Sequence, residues 1–148
     1  MILNRASFNS LVHVDSDTYA LAYTSHGEDG FISTFTIDSD TAAITAVNTQ
    51  SLGNNLEYDE VRGIHNSLVQ VDSDTYALAY TGTDANGFIS TFTISSDGTS
   101  IVEVKNLEHD TDVGNYPSLV QVDSDTYALA YTSGQKDGWV TTFKIYQK

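Results

Sequence analysis

Cysteine is absent from the 148 residues, so neither a disulfide nor thiol chemistry contributes here, and the redox compartment is left open. Basic residues are scarce. Six Lys and Arg stand against twenty Asp and Glu, a formal charge of −14 that repels phosphate backbones and anionic headgroups. Nucleic acid and membrane surfaces are therefore poor partners, and solubility, in a salty habitat or not, is the simplest use of the charge. No stretch approaches the roughly 20 apolar residues of a membrane span, and the apolar run in "MILNRASFNS" is too short for a secretory leader. The expectation is a soluble chain without an address, which a piece cut from a longer secreted protein would also resemble. No window carries an apolar period of 3.6, which excludes helix as the main element. What remains is ample for a core: 40% hydrophobic and 11% aromatic residues, in a length that suits one domain.

That core is written three times. "SLVQVDSDTYALAYT" fills 67–81 and returns unchanged at 118–132, and 10–24 repeats it with His13 in place of glutamine. A second segment follows each copy: "EDGFISTFTI" at 28–37, "ANGFISTFTI" at 85–94 and "KDGWVTTFKI" at 136–145. Leu68 follows Leu11 by 57 positions and Leu119 follows Leu68 by 51, so the period lies near 50, within the range of repeat architectures. The repeats are set at 10–66, 67–117 and 118–148, the last lacking its final strand, with 1–9 as an N-terminal strand that completes another repeat.

Each repeat parses into four short strands. "SLVQV" and "YALAYT" flank the polar "DSD" as two strands flank a hairpin turn. Asp-Gly at 29–30 and 137–138, and Asn-Gly at 86–87, are expected to supply the positive φ of a tight turn before the alternating strand "FISTFTI". "SIVEV" at 100–104 is the fourth strand, and about fourteen polar residues then cross to the next repeat. In "YALAYT" the large Tyr76, Leu78 and Tyr80 fall on one face and the small Ala77 and Ala79 on the other. Such a sheet cannot bury both faces alone, and repeating it lets each copy cover the next.

The segments "LVQVDSDTYALAYTG" and "GFISTFTI" resemble the blade repeats of β-propeller proteins, in particular tandem repeats of uncharacterised bacterial and environmental proteins, over about Ser10 to Ile145. The kelch double glycine and the terminal Trp-Asp pair of WD repeats are both missing. The resemblance implies an all-β propeller with three four-stranded blades per chain. Propellers typically close with four to eight blades, so two chains are expected to form one six-bladed ring, a homodimer in which "MILNRA" supplies a rim strand in trans. A β-trefoil and a fragment of a larger propeller are the alternatives.

Chemical signals are sparse. The "VDSDTY" turns carry Asp15 and Asp17, Asp72 and Asp74, Asp123 and Asp125, which Asx-turn chemistry explains without calcium. His13, His26, His65 and His109 recur at no equivalent position, so neither a zinc cluster nor a catalytic dyad is expected, and no metal or cofactor is assigned. Ser10, Ser67 and Ser118 lack the glycines of a nucleophile elbow. The connections between repeats hold a matched pattern, Leu56-Glu57-Tyr58-Asp59 and Leu107-Glu108-His109-Asp110, with a ring between two acids. An aromatic platform with carboxylates suits a sugar, so Glu57, Tyr58, Asp59, Glu108, His109 and Asp110 are the candidate ligand-binding residues. Trp139 aligns with Phe31 and Phe88 and is expected in the core. The functional expectation is a non-enzymatic, multivalent, lectin-like module for glycans. The alternative is a structural or adhesive repeat without a small ligand.

Overall fold

A computed structural model of the chain describes residues 6–47 and 55–146. Strands follow one another in sequence order: β1 (Ser7–Asp15), β2 (Thr18–Thr24), β3 (Gly30–Ile37), β4 (Ile44–Ala46), β5 (Asn55–Asp59), β6 (Ile64–Gln70), β7 (Thr75–Thr81), β8 (Gly87–Ile94), β9 (Ile101–Asp110), β10 (Asn115–Gln121), β11 (Thr126–Thr132) and β12 (Gly138–Lys144). They form three antiparallel sheets, β1-β2-β3-β4 with β5 also on β3, then β6-β7-β8-β9, then β10-β11-β12. The fold is all-β, with one short 3-10 turn at Thr83–Ala85 and no α-helix among the described residues. No strand of one sheet pairs with a strand of another among them. A trefoil barrel, which needs strands shared between its repeats, is not what these pairings make. The proposed rim strand falls mostly on residues 1–5, outside the described residues, whereas Ser7–Asn9 already belong to β1.

In the second and third sheets the first hairpin is set by its aspartate. Asp72 Oδ1 accepts the N–H groups of Asp74 (3.1 Å) and Thr75 (2.8 Å), and Asp123 repeats both bonds at the same lengths. The Thr126 hydroxyl and the N–H groups of Asp125 and Thr126 hold the Asp123 carboxyl down to about 2. Hydrogen bonds to the charged form favour it, so these aspartates are turn-makers.

The sheets stack large face on small. Tyr76, Leu78 and Tyr80 pack with Val14, Ala20, Ala22 and Ile32 of the first sheet. On the other side of the same strand, Ala77 and Ala79, with Val71 and Ile89, receive Leu119, Tyr127 and Leu129 of the third sheet. Both faces of β7 are thereby buried, at about 25 cal/mol for each Å² of apolar surface removed from water. Serine ties the layers together: Ser10 Oγ accepts Leu68 N–H and Ser67 Oγ accepts Leu119 N–H, both at 2.9 Å.

Three expectations are corrected. The first strands begin at Ser7, Ile64 and Asn115, three residues before the expected serines, through a bulge that leaves Phe8, His65 and Tyr116 at φ of 51°, 56° and 54°. The Asp-Gly and Asn-Gly glycines are not the left-handed residues of their loops. Gly27, Glu28, Asp84, Ala85 and Lys136 are. Gly30 and Gly87 are required because a ring lies against them, and a Cβ there would sit 2.3 Å from Tyr58 Cζ or 2.4 Å from His109 Cε1. Finally, the fourth strand runs further than "SIVEV". β9 continues to Asp110, and the register shift between Thr91 and Phe92 lets it stay paired with β8. The matched Leu-Glu-ring-Asp segments are thus strand, not connection.

Candidate functional site

A strand alternates its side chains, and this separates the residues expected to act together. On β5, Tyr58 turns inward and is buried, its ring edge-on to Tyr80 (4.9 Å) and Phe92 (6.3 Å). Its hydroxyl donates to Asn66 Oδ1 (2.5 Å), with Gly63 O at 3.3 Å, and burial, with Tyr80 nearby, pushes the phenol well above its ordinary range. Such a ring offers no platform to solvent. Glu57 lies outward, its carboxyl raised by desolvation and then by Asp29 and Glu60. Asp59 accepts the N–H groups of Val61 (2.9 Å) and Arg62 (2.8 Å) and closes the turn into β6.

The second set is arranged the same way. Glu108 is exposed and accepts Asn86 Nδ2 at 2.6 Å. His109 points into the next sheet, edge-on to Tyr131 (5.0 Å) and Phe143 (5.7 Å), with both ring nitrogens enclosed and unpaired. Burial lowers its pKa, with Asp110 opposing.

Of the six, Asp110 lines a cavity. That cavity, about 260 Å³, opens at the junction of the second and third sheets and is lined by Asp110, Asp112, Tyr131, Ser133, Gly134, Gln135, Asp137 and Trp139. β9 delivers Asp110, whose Oδ1 accepts Asp112 N–H (2.9 Å) and Val113 N–H (3.2 Å) and so fixes the loop that carries Asp112. Tyr131 and Trp139 face each other in the β11–β12 register, and the hairpin between them brings Ser133 to Asp137. Burial, then a hydrogen bond to Asp110 and that group's charge, raise the Tyr131 phenol, which keeps it a neutral donor. Trp139 is 54% exposed, contrary to the core position expected from its alignment with two phenylalanines. Its indole is a free aromatic face beside carboxylates, an amide and a hydroxyl.

Sequence reasoning missed Asp112, Tyr131, Gln135, Asp137 and Trp139. A signal existed. At the preceding junction Tyr131 keeps its counterpart in Tyr80, but the positions of Asp112, Gln135, Asp137 and Trp139 carry Val61, Asp84, Asn86 and Phe88, and Phe88 lies over Gly82, where a Cβ would sit 2.5 Å from its ring. Departures from the repeat, rather than the repeat itself, mark the cavity. Among the described residues its carboxylates do not converge as a metal-binding group. A second, apolar groove of about 300 Å³ runs between Ile89, Val104 and Leu107 and the Phe143–Tyr146 end of the third sheet. In the first sheet the comparable surface is covered by the β8–β9 turn, where Thr34 Oγ1 donates to Gly98 O at 2.7 Å.

No family model and no curated protein matches the chain.

Proposed function

We propose that the chain is a non-enzymatic binding module built as propeller blades, one sheet to a blade, which a second copy completes as a six-bladed ring, and that the Trp139 cavity takes a carbohydrate. One observation carries the binding reading: an exposed indole, a neutral phenol and the carboxylates of Asp110, Asp112 and Asp137 line a single cavity at a sheet junction. Sugars present an apolar ring face and a rim of hydroxyls, and this lining offers a surface for the first and acceptors for the second. No histidine stands beside Ser133 in the lining, so the Ser–His pairing of a serine nucleophile is missing there. A ring of two chains would carry two such cavities, and paired weak sites gain through avidity on a multivalent glycan.

Trp139 is the sole tryptophan, so its fluorescence reports on this cavity alone. Titration with glycans chosen from an array is expected to shift that emission. Binding followed by calorimetry is expected to fall about tenfold in W139F, the residue type of the other repeats, for a stacking contribution of about 1.4 kcal/mol. An array without hits and an unmoved emission would turn the reading toward its rival, an assembly repeat without a small ligand. The uncovered sheet faces favour that rival.

A further inference from the structure

The apolar residues left exposed are not scattered; several are the third members of sets whose other two members are buried. On the small-residue face, Val14 and Val71 are each 4% exposed, whereas Val122 is 62% exposed; Ile32 (0%) and Ile89 (5%) correspond to Val140 at 73%. On the large-residue face, Leu68 and Leu119 are each 6% exposed and Leu11 is 55% exposed. The third sheet therefore lacks a cover on its small face, and the first lacks one at the Leu11 end of its large face.

Polar groups repeat this arithmetic. Ser10 and Ser67 each accept the leucine N–H of the following sheet, and Tyr76 and Tyr127 each direct the hydroxyl to the valine carbonyl of the preceding one, Val14 O and Val71 O, at 3.5 Å. Among the described residues, Ser118 Oγ and Val122 O have no such partner, nor do Leu11 N and Tyr19 OH. A ring contact runs along the same edge. Phe8 meets His65 at 4.4 Å and His65 meets Tyr116 at 4.1 Å, and both outer rings are largely exposed.

We infer that the large face of the first sheet of a second copy seats on the small face of the third sheet, with Leu11 N–H donating to Ser118 Oγ, Tyr19 OH to Val122 O, and Phe8 meeting Tyr116. The same seam forms in reverse with the other pair of faces, so two copies close with no free face. The inference rests on reading the sheets as blades and specifies the partner of the uncovered ones. The sequence favours a copy of itself as occupant, because the face that already covers two of these surfaces carries the same tyrosines and leucines as the one left over. One end of the seam must differ. Gly63 and Gly114 are packed so tightly that a Cβ on Gly114 would lie 2.3 Å from Gly87 Cα, and Ala6 stands at the corresponding place. Its methyl keeps the seam wider there than either internal junction.

The absence of cysteine makes the test clean. L11C and S118C, made as separate chains of different tag length, are mixed and treated with a short thiol-to-thiol bridging reagent. The mixed product is expected to exceed either like-with-like product about tenfold, as a built contact raises effective concentration. V140D, at a position exposed in the single chain, is expected to keep the strand circular dichroism and to halve the mass in light scattering. A predominance of L11C–L11C or S118C–S118C products overturns the seam while leaving the sheets as blades. An unmodified protein that runs as one chain overturns it too, and glycan binding through Trp139 is read separately in either case.

Discussion

Tyr58 and His109 hold the same place in successive repeats, yet only the phenol has a partner. Asn66 accepts from Tyr58, whereas Pro117 stands in the matching place beside His109, whose ring nitrogens are enclosed without one. A buried imidazole without a partner resists protonation. Desolvation depresses its folded pKa below the unfolded value of about 6.5, with Asp110 opposing and Tyr131 edge-on to the ring. The sign follows: this contribution to stability is fully present above about pH 6.5 and is lost as the pH falls through that value toward the folded pKa. Replacing the pair by H109Y and P117N rebuilds the first junction at the second. Urea unfolding at about pH 7.5 and 5.5 is expected to show a smaller loss of stability on acidification in the double variant than in the parent, because His65 titrates in both. Equal losses would mean that His109 is not the acid-sensitive group. The pattern Leu-Glu-ring-Asp was legible as a repeated motif. Its inward turn was not, since the two glycines that make room for the rings read in sequence as turn residues.

At the scale of elements, strands with one apolar face were legible along their length, whereas the exposed β9 was legible only over its first residues. β2, β7 and β11 share the letters "TYALAYT", and their alternation of large and small side chains predicts which face meets which. β9 is exposed along most of its length, so no alternation marks it, and it is held by its backbone ladder to β8 and by Asn106, which donates to Tyr80 OH (2.9 Å) and Ser90 Oγ (2.7 Å). The serines that read as idle in sequence are the ties between sheets. S67A leaves Leu119 N–H, in a buried residue, without its acceptor and is expected to cost about 1–3 kcal/mol, measured as a lower urea midpoint at unchanged slope. An unchanged midpoint would show that stacking of the apolar faces alone sets the layer register. The cavity was hidden for a related reason: its residues come from β9, β11, β12 and two loops, and they stand out only against the aligned repeat.

The whole molecule follows from one property of its unit. A sheet with bulky side chains on one face and alanines on the other cannot satisfy itself, whereas a stack satisfies every member except the first and last. The middle sheet buries both faces of its central strand, and each flanking sheet packs one face against it. A finite open stack keeps wet the surfaces that drive it to form, and a closed circle of copies removes them at no cost in new sequence. The net charge of −14 per chain opposes association, so pairing is expected to strengthen as salt screens it. Sedimentation equilibrium at about 0.15 M salt tests the account most directly. The chain has a mass of 16.1 kDa, and a closed pair has twice that, 2 × 16.1 = 32.2 kDa. A single species at the doubled mass, stable on dilution, is the expected result; a compact species at 16.1 kDa under the same conditions would contradict it.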